Sequence, residues 1–322
     1  MKEHLQKQWF LISLVGVLLL GFLMPETLQP IAESTLLRQS LLFVVLFVMA
    51  LPVATSELGR ALKSPWGAIY ASSINFLMLP ALAWICSDFF FTEFLGDGLI
   101  IATVVPCTLA SAAVWTRRAG GNDSIAILVT LITNGFCFLL TPWWIWMTVG
   151  GGITGFETTE LIRDLALLVV LPMVLAQIAR QFGEIGNQAT RYKLSLSTTA
   201  QIGILVMVAI GAVKMGNRFT AGNLDFTWLD IGLMFVAVNV LHLLTLLFGY
   251  WSAGWFGFCR RDRIAIGIAG SQKTLMVGLN TAVELNRSIL PMLLFHICQL
   301  VFDTLIADYW AKNNDELVTP EV

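Results

Sequence analysis

The sequence predicts an all-α integral membrane protein of ten transmembrane helices, built as two inverted five-helix repeats. Three observations carry this. Hydrophobic residues fill 57% of the 322 positions and charged residues only 12%, about half the share of an ordinary soluble domain. Apolar runs of roughly 20 residues, long enough to cross a ~30 Å hydrocarbon core, recur along the whole chain. The basic residues also sort by side, as cytoplasmic and external loops do.

The runs fall near 9–25, 39–56, 66–87, 97–117, 123–147, 160–181, 195–216, 229–251, 263–285 and 289–311, joined by short connections. The first follows the charged stretch MKEHLQKQ, as a secretory signal would. No A-x-A-like cleavage site follows it, so it is read as the first span. With ten spans, 13 of the 19 Lys and Arg share one side: Lys2, Lys7, Arg60, Lys63, Arg117, Arg118, Arg180, Arg191, Lys193, Arg260, Arg261, Arg263 and Lys312. Five lie on the other side: Arg38, Arg163, Lys214, Arg218 and Arg287. The asymmetry places both termini in the cytoplasm of a multi-pass inner or plasma membrane protein.

Segment 2, LFVMALPVA, is similar to segment 7, LVMVAIGAV. Segments 4 and 9 are each interrupted midway, by PCTLAS and GSQKT. An offset of five segments is odd, so the second copy enters the membrane from the opposite face. Residues 1–155 form the first repeat, 156–312 the second, and 313–322 a polar tail expected to be disordered.

Each interruption has a local cause. Pro106 lacks a backbone donor and clashes with the preceding turn, so segment 4 is expected to unwind near 104–108. Thr108 and Ser111 stand beside it to serve freed backbone groups or a ligand. In segment 9, Gly267 and Gly270 are expected to supply the non-helical geometry, with Ser271, Gln272 and Thr274 supplying polar atoms. Two breaks at matching depths predict a crossing of half-helices, tolerated only inside protein or beside water.

Lys273 sits in the second break, ten residues after Arg263 and eleven before Glu284. At ~1.5 Å per residue its ammonium lies ~15 Å from either end, near the bilayer centre. A charge there is costly, at least ~2.5 kcal/mol, and is by default functional. Three roles stay open: a fixed structural cation, a proton carrier, or a docking charge for an anion. Asp303 is read as its partner or as a group in a cytosolic vestibule. His242 reads as a hydrogen-bonded packing residue. Asn75 in segment 3 and Thr130, Thr133 and Asn134 on one face of segment 5 are polar at mid-membrane depth. His296 and Gln299, three apart, share a face of segment 10.

The five cysteines are scattered, and no CxxC, HExxH or His-rich cluster occurs, which argues against a disulfide scaffold or metal enzyme. No paired carboxylates or Ser/His/Asp grouping share one depth, so an enzyme is not expected. The sequence class is a membrane transporter, with a non-transporting regulatory membrane protein as the alternative.

The stretch PCTLASAAVWTRRAGGNDSIAILVTLITNGFCFLLTP resembles helices 4 and 5 of the bile acid:sodium symporter family. GSQKTLMVGL and FHICQL resemble helices 9 and 10 of a divergent branch with a G-S-x-K-[ST]-L signature. The resemblance spans about 9–312. It implies a panel domain of helices 1, 2, 6 and 7 moving against a core domain in which broken helices 4 and 9 cross. It also implies alternating-access transport of an organic anion. Asn75, Ser111, Thr130 and Gln272 match positions of sodium ligands and would form a residual sodium site. Ile268 stands where sodium-binding members carry a glutamate, and Lys273 where they carry a neutral amide. That changes the local charge by +2 and disfavours a monovalent cation within ~5 Å. Lys273 then replaces one sodium, leaving transport uncoupled, proton-coupled or driven by a weaker sodium site. The implied binding set is Asn75, Thr108, Ser111, Thr130, Asn134, Ser271, Gln272, Lys273, Thr274, His296 and Gln299. The expected partners are membrane lipid and a small organic anion, not nucleic acid. No resident cofactor is expected; sodium or a proton is the candidate coupling ion.

Overall fold

A computed structural model describes residues 9–54, 59, 62, 65–109, 111–149, 157–222 and 226–318. Lys2, Lys7, Arg60 and Lys63 of the charge count lie outside these residues, as does 319–322 of the tail. Among the described residues the secondary structure is entirely helical. The helices are α1 (Trp9–Leu23), α2 (Pro25–Glu33), α3 (Thr35–Ala50), α4 (Pro65–Phe90), α5 (Glu93–Val104), α6 (Ser111–Arg118) and α7 (Asp123–Thr148). They continue with α8 (Thr158–Gln181), α9 (Gly183–Arg191), α10 (Lys193–Thr220), α11 (Trp228–Trp255), α12 (Arg260–Ser271), α13 (Leu275–Glu284) and α14 (Leu290–Val318).

Six of these, α4, α7, α8, α10, α11 and α14, are each long and apolar enough to cross a membrane. The chain is an integral membrane protein. Helix α11 turns Phe235, Val236, Val240 and Leu244 outward, as lipid contact requires. The other apolar segments are α1, bent by 102° into α2, the 16-residue α3, and the two broken pairs α5–α6 and α12–α13. Two findings differ from expectation at the ends. Short helices α2 and α9 follow α1 and α8, and α14 stays helical to Val318 instead of fraying after Lys312.

Helices α1, α3, α8 and α10 pack on one another. The α1–α10 contact depends on small residues: a Cβ on Gly216 would lie 2.6 Å from the Phe22 carbonyl oxygen, and one on Gly21 2.7 Å from Ala212 Cβ. A second group joins α4, α5, α7, α11, α12 and α14. Helix α6 ends in a left-handed turn at Gly120 (φ 75°), whose following N–H, Gly121, donates to Thr116 O at 2.8 Å. Asn122 next to it donates to Arg261 O and, through Nδ2, to Asp262, tying the α6–α7 turn to the start of α12.

Helix α4 contains a π-helical turn, Ile74–Met78, which the sequence reading did not foresee. Leu79 N–H reaches back five residues to Ile74 O, and Pro80 has no N–H to offer. The carbonyl of Asn75 is thereby left without a backbone donor, and Lys273 takes it. Trp144 Nε1 donates to the next carbonyl, Phe76 O, at 2.7 Å.

Candidate functional site at the crossing of two broken helices

The segment 4 break lies between Val104, the last residue of α5, and Ser111, the first of α6, as Pro106 dictates, and α7 satisfies it. Thr141 Oγ1 donates to Val104 O at 2.7 Å, and Cys107 N–H donates to Thr133 Oγ1 at 3.2 Å. Asn134 Nδ2 donates to Cys107 O at 2.9 Å, and Thr130 Oγ1 donates to Thr108 O at 3.0 Å. A polar face of one helix thus stands in for the missing helical bonds of another, as buried backbone demands.

The second break is shorter, Gln272 to Thr274, and it is placed differently from expectation. Gly267 and Gly270 remain helical within α12. Their role is clearance: a Cβ on Gly267 would sit 2.8 Å from Leu246 O of α11, and one on Gly270 3.4 Å from Ala71 O of α4. Side-chain amides serve the unwound backbone instead. Gln299 Oε1 accepts from Lys273 N–H at 2.9 Å while its Nε2 donates to Lys273 O at 3.0 Å, mimicking a paired peptide. Asn75 Nδ2 donates to Gln272 O at 2.9 Å and Gly270 O at 3.2 Å. Thr274 N–H donates to Pro106 O at 2.9 Å, which joins the two breaks directly.

Lys273 is fully buried at this junction. Its ammonium donates to Asn75 O (2.7 Å), Asn75 Oδ1 (2.9 Å) and Val105 O (2.9 Å), and lies 5.5 Å from the centroid of Phe76. Three donors meet three oxygens. Val105 O follows the carboxyl end of α5, where the helix dipole favours a cation. Among the described residues no carboxylate pairs with Lys273.

Asp303 therefore fills neither role expected of it. It is fully buried, away from any vestibule, and its partners are His242 Nε2 at 3.0 Å and Gln272 Nε2 at 2.5 Å. His242 also places Nδ1 3.4 Å from Ser271 O. The far end of Gln272, Oε1, accepts from Thr108 at 2.8 Å and Ser111 at 3.0 Å. His296 Nδ1 lies 2.9 Å from Gln299 Nε2. Because Lys273 N–H fixes Oε1 of Gln299, the other end of that amide must donate. Nδ1 of His296 is then an acceptor, and the imidazole proton sits on Nε2.

The residues singled out as sodium ligands are each engaged by protein. Asn75 Oδ1 holds the ammonium, Thr130 Oγ1 donates to Thr108 O and Ala126 O, and Ser111 donates to Gln272 Oε1. Among the described residues no three His, Cys, Asp or Glu gather as metal ligands.

A cavity of about 280 Å³ lies against the crossing, between α1, α3 and α10 on one side and α6, α13 and α14 on the other. Thr108, Ser111, Thr274 and His296 supply the polar wall on the side of the crossing and Ser197 and Gln201 of α10 the polar groups opposite, Phe10, Met49, Leu109 and Ile204 part of its apolar wall, and Arg117 and Lys193 its charges. Lys273 is sealed from it. Both half-helix amino ends, those of α6 and α13, border the cavity, whereas both carboxyl ends face Lys273, Asn75 and His242.

A family model for SBF-like CPA transporters (DUF4137) matches residues 8–312. The chain belongs to this family. It is a membrane transporter and not an enzyme. Similar proteins include the "Probable sodium/metabolite cotransporter BASS4, chloroplastic" of Oryza sativa subsp. indica, 25% identical over 91% of this chain and 73% of that protein. The "Sodium/bile acid cotransporter 7-B" of Xenopus laevis is 22% identical over 94% of this chain and 92% of its own length. The "Sodium/bile acid cotransporter 7" of Danio rerio is 22% identical over 98% of both.

Proposed function

We propose that this chain is a secondary transporter that moves an amphipathic organic anion across the membrane by alternating access. In this reading ten spans form two inverted five-helix repeats, and the group α1, α3, α8 and α10 is the panel against which the core moves. The observation that carries it is the polarity of the crossing. The carbonyl ends of α5 and α12 are met by Lys273, the Asn75 amide and His242, while the amino ends of α6 and α13 border the cavity. Helix amino ends favour anions. The apolar wall of Phe10, Met49 and Ile204 suits the body of an amphiphile.

Lys273 acts as the fixed cation of the core. A sodium ion at such a crossing would neutralise carbonyl dipoles; here an ammonium does so with three oxygens at 2.7–2.9 Å. Its burial removes the docking-charge role, because a solute in the cavity cannot touch it. Asn75, Ser111, Thr130 and Gln272 then serve the fold of the crossing, and sodium is not the coupling ion.

Both termini lie in the cytoplasm of an inner or plasma membrane in this reading. The cavity is bordered by Arg117 and Lys193, from the basic-rich side, and so opens inward. The opposite side is closed by contacts onto α13 and the turn after it: Arg38 Nε donates to Asn280 Oδ1 (3.1 Å), Lys214 Nζ to Val283 O (3.4 Å) and Arg218 to Asn286 O (3.2 Å). The test is uptake of organic anions, taurocholate among them, by proteoliposomes with and without an inward sodium gradient. Saturable uptake that ignores the sodium gradient supports the proposal. Uptake that requires it sinks the replacement of sodium by Lys273.

A further inference from the structure

A second cavity, of about 260 Å³, lies between α7 and α8 where the end of α3 approaches them. Leu131 and Gly135 of α7 and Val170, Met173, Val174 and Ile178 of α8 line it, and among the described residues no charge does. It shares Val53, Leu109 and Ile127 with the cavity at the crossing, so the two spaces meet at three aliphatic residues. Ligand pockets usually run ~300–1,000 Å³. Each space alone falls short of that range, and the two joined fall within it.

Two details mark this second cavity as a seat for a ligand. A Cβ built on Gly135 meets no atom within 4 Å, so the face of α7 there looks onto open space. Glycine weakens a helix interior relative to alanine, and no close approach explains it here, unlike Gly216 or Gly267. The other detail is Gln177 of α8. Its Nε2 donates to Ala50 O (3.0 Å) and Val53 O (3.2 Å), capping α3, which stops short of Pro52. Those two carbonyls fix the amide, so Oε1 is its other end. That oxygen is buried and has no donor among the described residues, although Gln177 lines the cavity. A buried acceptor without a donor is costly, and a ligand hydroxyl would supply one.

We propose that the two cavities are one solute site. The anionic head sits at the amino ends of α6 and α13, and the apolar body passes Val53, Leu109 and Ile127 to lie between α7 and α8. There a hydroxyl on the body donates to Gln177. This rests on the reading above that the first cavity takes an anion. The walls divide the same way: charges and helix amino ends border the first cavity, while the second offers aliphatic surface and one open acceptor. Val174 and Ile178 are each 48% exposed on α8, so the groove is open outward and takes bodies of different length. The solute so defined carries its charge at one end and a body too long for the first cavity. An acyl chain of a membrane phospholipid would also fill the groove, but it brings no donor to Gln177.

Alkane-1-sulfonates from butane to decane, titrated calorimetrically into the protein in nanodiscs, present one head on bodies of graded length. In the wild type each added CH₂ should tighten binding about fourfold along the whole series, as burial of apolar surface requires. In Gly135→Phe, which fills the groove from its open side, butanesulfonate should bind as in the wild type and the gain should stop at the longer chains. Both proteins sit in the same lipid, so partition of the sulfonates into the bilayer cancels in the comparison. A hydroxyl at the chain end should add a severalfold gain at one chain length, absent from Gly135→Phe. Parallel length series in the two proteins, or a hydroxyl without gain at any length, overturns the proposal and leaves the groove to lipid. Butanesulfonate that fails to bind the wild type overturns the anion reading, and this inference with it. Should Gly135→Phe fail to fold, Val174→Phe on the exposed face of α8 narrows the same groove and decides by the same series.

Discussion

The ammonium of Lys273 lies 2.7 Å from the backbone oxygen of Asn75, an oxygen that no backbone N–H can reach. The π turn sends Leu79 N–H to Ile74, and Pro80 has no hydrogen to give. A distortion in one helix thus creates the acceptor for a charge carried by another. Asn75 adds its side-chain oxygen to the same ammonium and its amide hydrogens to the carbonyls of α12. Asn75→Leu should strand both sets, with each orphaned buried group costing ~1–3 kcal/mol. A thermal melt of the purified variant should show a clear loss. An unshifted melting temperature would mean that Asn75 does not hold the crossing.

Gln299 replaces a peptide partner for Lys273 through both ends of its amide. Gln299→Glu keeps the acceptor and loses the donor, while Gln299→Leu loses both. Stability should fall in the order wild type, Glu, Leu, with the Leu variant ~2 kcal/mol or more below wild type in denaturant or heat. Equal effects of the two variants would contradict the peptide-mimic account.

On α7, Thr133 and Asn134 serve the N–H and the C=O of one residue, Cys107. Thr133→Val and Asn134→Leu should each destabilise by ~1–3 kcal/mol. Once the break has rearranged for one loss, the second costs less, so the double variant should be less destabilised than the two effects added. A double-mutant cycle by thermal unfolding checks this, and strict additivity would argue that the two side chains act on separate structures.

How much of this could be read in advance depends on where the cause lies. Pro106 removes a donor within its own segment, so the first break was legible and falls where expected. The second was legible as a break but not in its placement. Gly267 and Gly270 serve close contact with α11 and α4, whereas unwinding begins where Asn75, Gln299 and Pro106 offer other partners. Those partners lie far away in sequence. The same holds for His242 and Asp303, 61 residues apart, whose pairing no local pattern announces. One missed signal was local: Pro80, five residues after Asn75, marks the carbonyl that the π turn exposes.

The α1–α10 contact has no room for a side chain at Gly216, 2.6 Å from the Phe22 carbonyl oxygen in the Cβ position. Gly216→Val should push these helices apart and lower both the yield of folded protein and its melting temperature. A more stable or unaffected variant would show that the contact yields easily.

The central claim, that Lys273 occupies the place of a monovalent cation, is tested most directly by removing it and supplying one. In Lys273→Ala the oxygens of Asn75 and Val105 lose their ammonium. Melting temperatures of wild type and variant are compared in sodium and in choline chloride at equal ionic strength. The prediction is a wild type indifferent to sodium and a destabilised variant that sodium restores in a concentration-dependent way, as a ligand binding only the folded state must. A wild type stabilised by sodium, or a variant that sodium leaves unchanged, would contradict it.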